Sequence, residues 1–341
     1  MAIKLKKLEE FDRIRSTKRS QLESPELLAS EYIPIVVPNN LSLNSNIEES
    51  LKFFNEIRHL VITNKFPIQL IFDNVEKIGS SAALVLAAEI YRCRYLRRYR
   101  NGHSVTGTYP KSESVAYILS KMGFFKSIGV YDPFVGEDTD VENLYVNYQS
   151  FTNVDSPHIT RIRDDLMEAF PHFDTLAKQR MKGAIIEAIS NVFDHAFRVP
   201  ARFPLVGRRS WLGGVVNREM GQFTLMVYDQ GGGIPGTLEP SVVERIRATG
   251  ALRSRPSDGE MIEAATKIRR TSTMQSGRGK GFETMRRFVD ASDDGELRVF
   301  SNSGRYLYSE HKDTISADAT DSLWGTLILW RVRHQGAQLV A

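Results

Sequence analysis

The sequence holds a single cysteine, Cys93, among 341 residues. No intramolecular disulfide can form, and no His or Cys neighbours supply the ligands of a zinc site. A reducing, cytoplasmic setting is therefore expected. Long apolar runs are missing too. No stretch reaches the roughly 20 residues that cross a bilayer, and the opening MAIKLKKLEEFDRIR has no uninterrupted apolar centre of the kind a secretion signal needs. Neither export nor membrane insertion is expected. Charge of one sign is scarce: 45 Lys plus Arg against 41 Asp plus Glu leave +4, too mild a bias to argue for a nucleic-acid partner. What is present is an ordinary globular composition, 41% hydrophobic and 25% charged, long enough for about two domains.

Residues 1–30, rich in Lys, Arg, Glu and Ser, read as an N-terminal extension to which no function is given. From there the pattern alternates. Short apolar runs at 35–37 and 68–72 predict strands, with helical spacing over 47–64 between them. From Ser81 to about Arg100, Leu84, Ala87, Ala88, Tyr91 and Tyr95 recur at the spacing of one buried helix face, closed by Asn101-Gly102. A strand over 103–109 and a helix over 113–122 complete a small α/β domain, residues 31–135. Residues 136–157 carry turn formers at both ends and one strand-like run near 144–148, and read as a linker. The second half, 158–336, opens with helices over 159–170 and 175–197. It then turns to strands: WLGGVVN and QFTLMVYD about a hairpin at 218–221, then GELRVFSN, RYLYSE and TLILWRV. Helices on one face of a mostly antiparallel sheet are expected.

Four elements carry chemistry. In IIEAISNVFDHAF, Glu187, Asn191 and His195 stand four residues apart, which sets a carboxylate, an amide and an imidazole on one helix face. An apolar strand runs into Asp229-Gln230-Gly231-Gly232-Gly233, where glycines let backbone pass close to a ligand while the carboxylate accepts from a donor such as an exocyclic amine. Gly277, Gly279 and Gly281, with Lys280 among them, open a helical pattern and present N–H groups to phosphate. Their spacing fits neither the P-loop nor the dinucleotide fingerprint. Last comes Gly325-Thr326 at the start of the final strand, whose hydroxyl can reach a purine ring.

In this order the four elements resemble the ATP-binding domain of the GHKL superfamily, which includes gyrase, the histidine kinases and the mismatch-repair ATPases. The resemblance implies a Bergerat-fold α/β sandwich over 158–336 that binds ATP and Mg²⁺. Asn191 then holds Mg²⁺ on the triphosphate, His195 closes the same nucleotide-binding box, and Asp229 reads the adenine amino group. Gly231 and Gly233 line the loop beside Asp229, Thr326 is the family's terminal threonine, and Gly277, Gly279 and Gly281 wrap the phosphates. Glu187 is the base that activates water or a hydroxyl. Lys280 stands where the family has an apolar residue, either as a phosphate contact or as a solvated loop lysine. The basic stretch 245–280, with Arg245, Arg247, Arg253, Arg255, Lys267, Arg269, Arg270 and Arg278, resembles the ATP lid. His158 and His172 lie 29 and 15 residues before Glu187, too close for the phospho-accepting hairpin of a sensor kinase.

Residues 30–130 resemble a STAS domain, as in anti-sigma-factor antagonists. IQLIFDNVEKIGSSAALVLAAEIYRC follows its strand, loop and helix, with Gly79-Ser80-Ser81-Ala82 where that family has Asp-Ser-Ser-Gly. The resemblance makes Ser80 and Ser81 phosphoacceptor candidates; as serines at a helix start they equally suit N-caps. The stripe Arg92, Arg94, Arg97, Arg98 and Arg100 reads as a solvated helix end. Together these features lead to an ATP-binding regulator of the anti-sigma or serine-kinase type, with a protein partner of STAS or sigma-factor-like kind and homodimerisation by resemblance. A clamp-like GHKL ATPase and a nucleotide-gated binding module without turnover are the alternatives.

Overall fold

Short apolar runs alternating with helical spacing build the first layer. The computed structural model describes residues 32–99, 102–134, 143–153, 175–238, 256–267 and 281–333, with positions 240, 243, 244 and 247. Its first elements are β1 (Ile33–Val36), β2 (Asn40–Leu41), α1 (Ile47–Arg58), β3 (Ile68–Ile71), β4 (Lys77–Ile78), α2 (Ser80–Leu96), β5 (Arg98–Tyr99), β6 (Gly102–His103), β7 (Val105–Gly107), α3 (Glu113–Lys121) and α4 (Phe124–Ser127). Strands β1, β3 and β7 form a parallel sheet in that order, with α1 and α2 as the crossovers that parallel strands require. Pro34 sits on the outer strand β1, where a missing N–H costs the ladder least. Leu51, Phe54 and Ile57 give α1 its buried face, and Glu48 and Glu49 in its first turn suit the helix dipole.

The remaining elements are β8 (Asn143–Phe151), α5 (Thr175–Asn191), β9 (Ser210–Asn217), β10 (Gln222–Asp229), α6 (Gly233–Thr237), α7 (Asp258–Lys267), α8 (Gly281–Val289), β11 (Asp294–Ser301), β12 (Gly304–Ser309), β13 (Lys312–Asp318) and β14 (Thr326–Arg333). They make the mixed α/β chain expected, around a seven-stranded antiparallel sheet ordered β13-β12-β11-β14-β10-β9-β8. Alternation along β10 assigns the faces. Phe223, Leu225 and Val227 pack with Met181 and Ile185 of α5 and with Met285 and Phe288 of α8. Met226 and Tyr228 point the other way, into a core that continues through α2 to Ile35 and Leu70 of the parallel sheet. Among the described residues no helix is long and apolar enough to cross a membrane.

Three expectations change here. The segment read as a linker supplies β8, an edge strand of the large sheet, and Tyr148 on it donates from its hydroxyl to the Ser80 carbonyl at 2.8 Å. Helix α2, expected to bury one face, is buried without a break from Ser81 to Ile90, because sheets lie on both sides of it. Arg92, Arg94 and Arg97 of the arginine stripe are engaged inward instead of solvated. Arg92 is 1% exposed, Arg94 donates to the carbonyls of Val105 and Ile128, and Arg97 donates to that of Ile62. The Arg98 side chain and Arg100 lie outside the described residues.

Arg92 has a reason to be inside. The Glu89 carboxylate, fully buried, pairs with Arg58 Nη2 at 2.9 Å and with Arg92, and also accepts from Tyr228 Oη at 3.2 Å and Gln230 Nε2 at 2.9 Å. Burial pushes that carboxyl up, but the two guanidinium charges outweigh it and hold it down at about 2. Cys93, one turn on, is a buried thiol pushed up to about 12 by burial. Glu89→Gln leaves two buried guanidinium groups without their counter-charge and should cost about 3–5 kcal/mol, read as a lowered urea midpoint. In the native chain the contribution of Glu89 is complete above the unfolded carboxyl value of 4.5 and is lost as pH falls toward about 2. A midpoint indifferent to the substitution would remove Glu89 from the stability of the interface.

Candidate functional site

Helix α5 carries Glu187 and Asn191 one turn apart, both half-buried. Straight after Asn191 the helix widens into a π turn, Val192–Ala196. The row of three expected on one face is therefore regular only as far as Asn191, and His195 lies within the wide turn. Such turns gather at functional sites. This one lets the Ala196 carbonyl accept the Gly232 N–H at 2.8 Å, and Gly231 passes so close that a Cβ there would overlap the Ala196 carbonyl oxygen.

Strand β10 ends in Asp229, 2% exposed, whose carboxylate accepts the Gly231 N–H at 2.8 Å and a backbone bond from Thr326. Register sets Asp229 opposite Ser210 on β9 and Thr326 on β14, and Thr326 opposite Ser301 on β11. Facing residues project to the same side of a sheet, so four polar side chains form one buried row at the end of the apolar face beneath α5 and α8. Ser301 Oγ and Thr326 Oγ1 share a hydrogen bond of 2.9 Å, and Ser301 Oγ accepts the Ile234 N–H at 2.8 Å. The buried Ser210 Oγ has no hydrogen-bond partner among the described residues. Burial raises the Asp229 carboxyl to about 7, against the lowering effect of its two backbone bonds. Gly233, at φ +76°, turns the loop in the left-handed region; a Cβ there would lie 2.6 Å from the Asn302 side chain, which donates to the Gly232 carbonyl at 3.2 Å.

Gly281 closes the other side. A Cβ on it would stand 2.7 Å from Glu187 Oε1 and 3.3 Å from Asn191 Nδ2. The start of α8 and the polar residues of α5 therefore meet at a contact too close for any side chain but that of glycine. Burial, and then the Asp194 charge, raise the Glu187 carboxyl above the usual range. Glu187, Asn191, Gly281, Asp229, Gly231, Gly233 and Thr326 thus all lie on the α5 and α8 side of the sheet, although α2 covers the other face and the helices are not confined to one side as expected. Gly277, Gly279 and Lys280 lie outside the described residues, as do His158, His172 and, of the lid arginines, Arg245, Arg253, Arg255, Arg269, Arg270 and Arg278.

Part of the stretch read as a lid is a docked helix. In α7, Ile262 is buried in the main core, and the Gly259 N–H in its first turn donates to Asp318 Oδ1 at 2.7 Å. Ile262 holds it against the sheet, while Met261 and Ala264 pack with Leu238 and Val243. Ser80 and Ser81 lie elsewhere. Gly79 is the N-cap of α2, without a side-chain cap bond, so neither serine caps the helix. Ser81 is 7% exposed, and α2 packs on the sheet face opposite to Glu187. A separate hollow of about 70 Å³ sits among Leu70, Phe72, Ile90, Leu119 and Phe124. Arg94 and Thr108 beside it are engaged with Val105, Ile128 and Asp73, which leaves an apolar packing space.

Ser210, Ser301 and Asn302 belong to the site and carry no motif; only register and the β11–β12 turn bring them in. The closeness of Gly231 to Ala196 is directly testable. Gly231→Ala forces backbone to move and should cost about 1–3 kcal/mol in urea unfolding. Gly236→Ala, whose Cβ would meet only Val199 at 3.8 Å, should change stability by no more than about 0.5 kcal/mol. Equal effects would mean that the loop does not press on the π turn. No family model and no curated protein matches the chain.

Proposed function

We propose that the chain binds Mg-ATP on the α5 and α8 side of the antiparallel sheet, as a GHKL-type domain joined to a STAS-like module. In this reading it passes the γ-phosphoryl group to a hydroxyl supplied by a protein partner. The observation that carries the reading is the close approach of Gly281, at the start of α8, to Glu187 and Asn191, on the same face as the buried row around Asp229. That row suits a purine. Asp229 accepts from the exocyclic amine, and the hydroxyls of Thr326 and Ser210 lie beside it across the ladder. Asn191 offers an amide oxygen, a donor suited to Mg²⁺, and would hold the metal from α5. The metal supplies charge neutralisation on the triphosphate.

Glu187 is the base. As the acceptor oxygen bonds to the γ-phosphorus, its proton passes to the Glu187 carboxylate, the bond to the bridging oxygen breaks, and ADP leaves. A carboxyl raised by burial is better matched to that proton than an exposed one. Water as acceptor is the second reading. It is favoured by the position of Ser80 and Ser81 behind the sheet, where neither reaches Glu187 of its own chain. A reducing cytoplasm, in which Cys93 stays a thiol, accords with both.

Intact mass and free phosphate after incubation with Mg-ATP, alone and with a STAS-type partner, separate the two. Glu187→Ala should lose turnover by about 100-fold or more while keeping nucleotide affinity, whereas Asn191→Ala should weaken Mg²⁺-dependent binding itself. Normal Mg-ATP binding by Asn191→Ala, or none by the native chain, overturns the assignment. A pH dependence follows from Asp229. Its folded carboxyl titrates near 7 against 3.8 unfolded, so the folded chain holds the extra proton in that window and its stability falls as pH rises through it. A donor bound to the carboxylate favours the ionised form. Nucleotide affinity should therefore rise between about pH 6 and 8, with proton release on binding near 7, measured by calorimetry in buffers of different ionisation heat.

A further inference from the structure

Asp229 and Gln230 are consecutive and serve opposite sides of the sheet. Asp229 joins the buried row beneath α5, while Gln230, 7% exposed, turns back to donate from Nε2 to Glu89 Oε1 at 2.9 Å. Arg58 on α1 holds the same carboxylate oxygen at 2.9 Å. Helix α1 also grips the segment that leads into Thr326. Asn55 Nδ2 donates to the Ser322 carbonyl at 3.0 Å and to Asp321, Arg58 Nη1 reaches the Ser322 carbonyl at 3.4 Å, and Glu48 accepts the Thr320 N–H at 2.9 Å. Both backbone segments that place the proposed purine contacts are thus held from behind by the N-terminal layer, and Arg58 touches both grips.

From this we infer that the N-terminal layer sets the affinity of the pocket, with Glu89 as the positioning residue for the Asp229–Gly233 loop; the inference rests on that pocket being the nucleotide site. Because Arg58 joins Glu89 to the Ser322 carbonyl, a shift of α1 against α2 moves both walls together. Coupling of this kind is reciprocal. Nucleotide tightens the contacts of α1 and α2 with the large sheet, and a protein that binds the N-terminal layer alters nucleotide affinity by the same factor.

The test uses the full chain, Gln230→Met, and two readouts. Amide exchange at residues 231–233 without nucleotide should quicken about fivefold or more, and the Kd for Mg-ADP should rise by a comparable factor, within the usual range of site-to-site coupling. Ile35→Val, a truncation in the core of β1, should lower the melting temperature and leave both readouts unchanged. Should Gln230→Met fail to fold, Gln230→Asn, one methylene too short for the same bond, gives the same two readings. Unchanged exchange at 231–233 overturns the inference, as does faster exchange with native Mg-ADP affinity. If the native chain binds no Mg-ADP, the nucleotide reading fails on its own account, and exchange still decides whether Glu89 holds the loop.

Discussion

A carboxylate with no exposure to water stays ionised only where cationic partners outweigh its lost hydration, and Glu89 meets that condition with partners drawn from almost every element around it. Arg58 comes from α1, Arg92 from α2, Tyr228 from β10, and Gln230 from the loop that follows β10. Apolar side chains of similar volume would hold the two sheets together about as strongly. They would not choose the angle or the register at which they meet. Directional bonds to one carboxylate fix α1, α2 and β10 relative to each other, and the loop after Asp229 starts from what they fix.

The large sheet divides the chemistry by parity. Along β10, odd-numbered residues face α5 and α8 and even-numbered ones face α2. Apolar residues fill both sides until the strand ends, where Asp229 takes the odd side and Gln230 the even. Ser210, Thr326 and Ser301 join Asp229 because three neighbouring ladders end in register. The carboxyl that would be costly in mid-sheet sits where the strand ends and the Gly231 N–H can reach it.

Local period and local chemistry were legible in the sequence. Helix α5, the hairpin at 218–221 and the pairing of Asp229 with a glycine loop all follow from residues close in the chain. What escaped was non-local. Strand β13 reads KDTISAD and is exposed along most of its length, since an edge strand needs no apolar face. Strand β8 stands out in the sequence only at its centre, 144–148, between turn formers that read as a linker. Spacing along α2 reveals one buried face but cannot announce a second sheet over the other. Arginines near a helix end are solvated by default, so burial of Arg92 required knowledge of Glu89 as a shared partner, and Ser210 and Ser301 required register. Basic charge dominates 245–280 in the sequence, and the few apolar residues within it, Met261, Ile262 and Ala264, dock α7.

The same geometry bears on what the N-terminal layer is for. A STAS-like module that served as phosphoacceptor within its own chain would have to present Ser80 or Ser81 to the face that holds Glu187. Instead, α2 begins behind the sheet, its second serine is buried, and Tyr148 from the edge strand is bonded to the Ser80 carbonyl. Drawing Ser81 out would disturb the start of α2, whose next residues Ala82, Ala83 and Leu84 belong to the core shared with Met226 and Tyr228. On the proposed reading, then, this layer relates to the nucleotide energetically rather than chemically. It braces the walls of the pocket through Glu89 and Asn55, and the phosphoryl group, where it is transferred, goes to an acceptor that approaches from the α5 and α8 side.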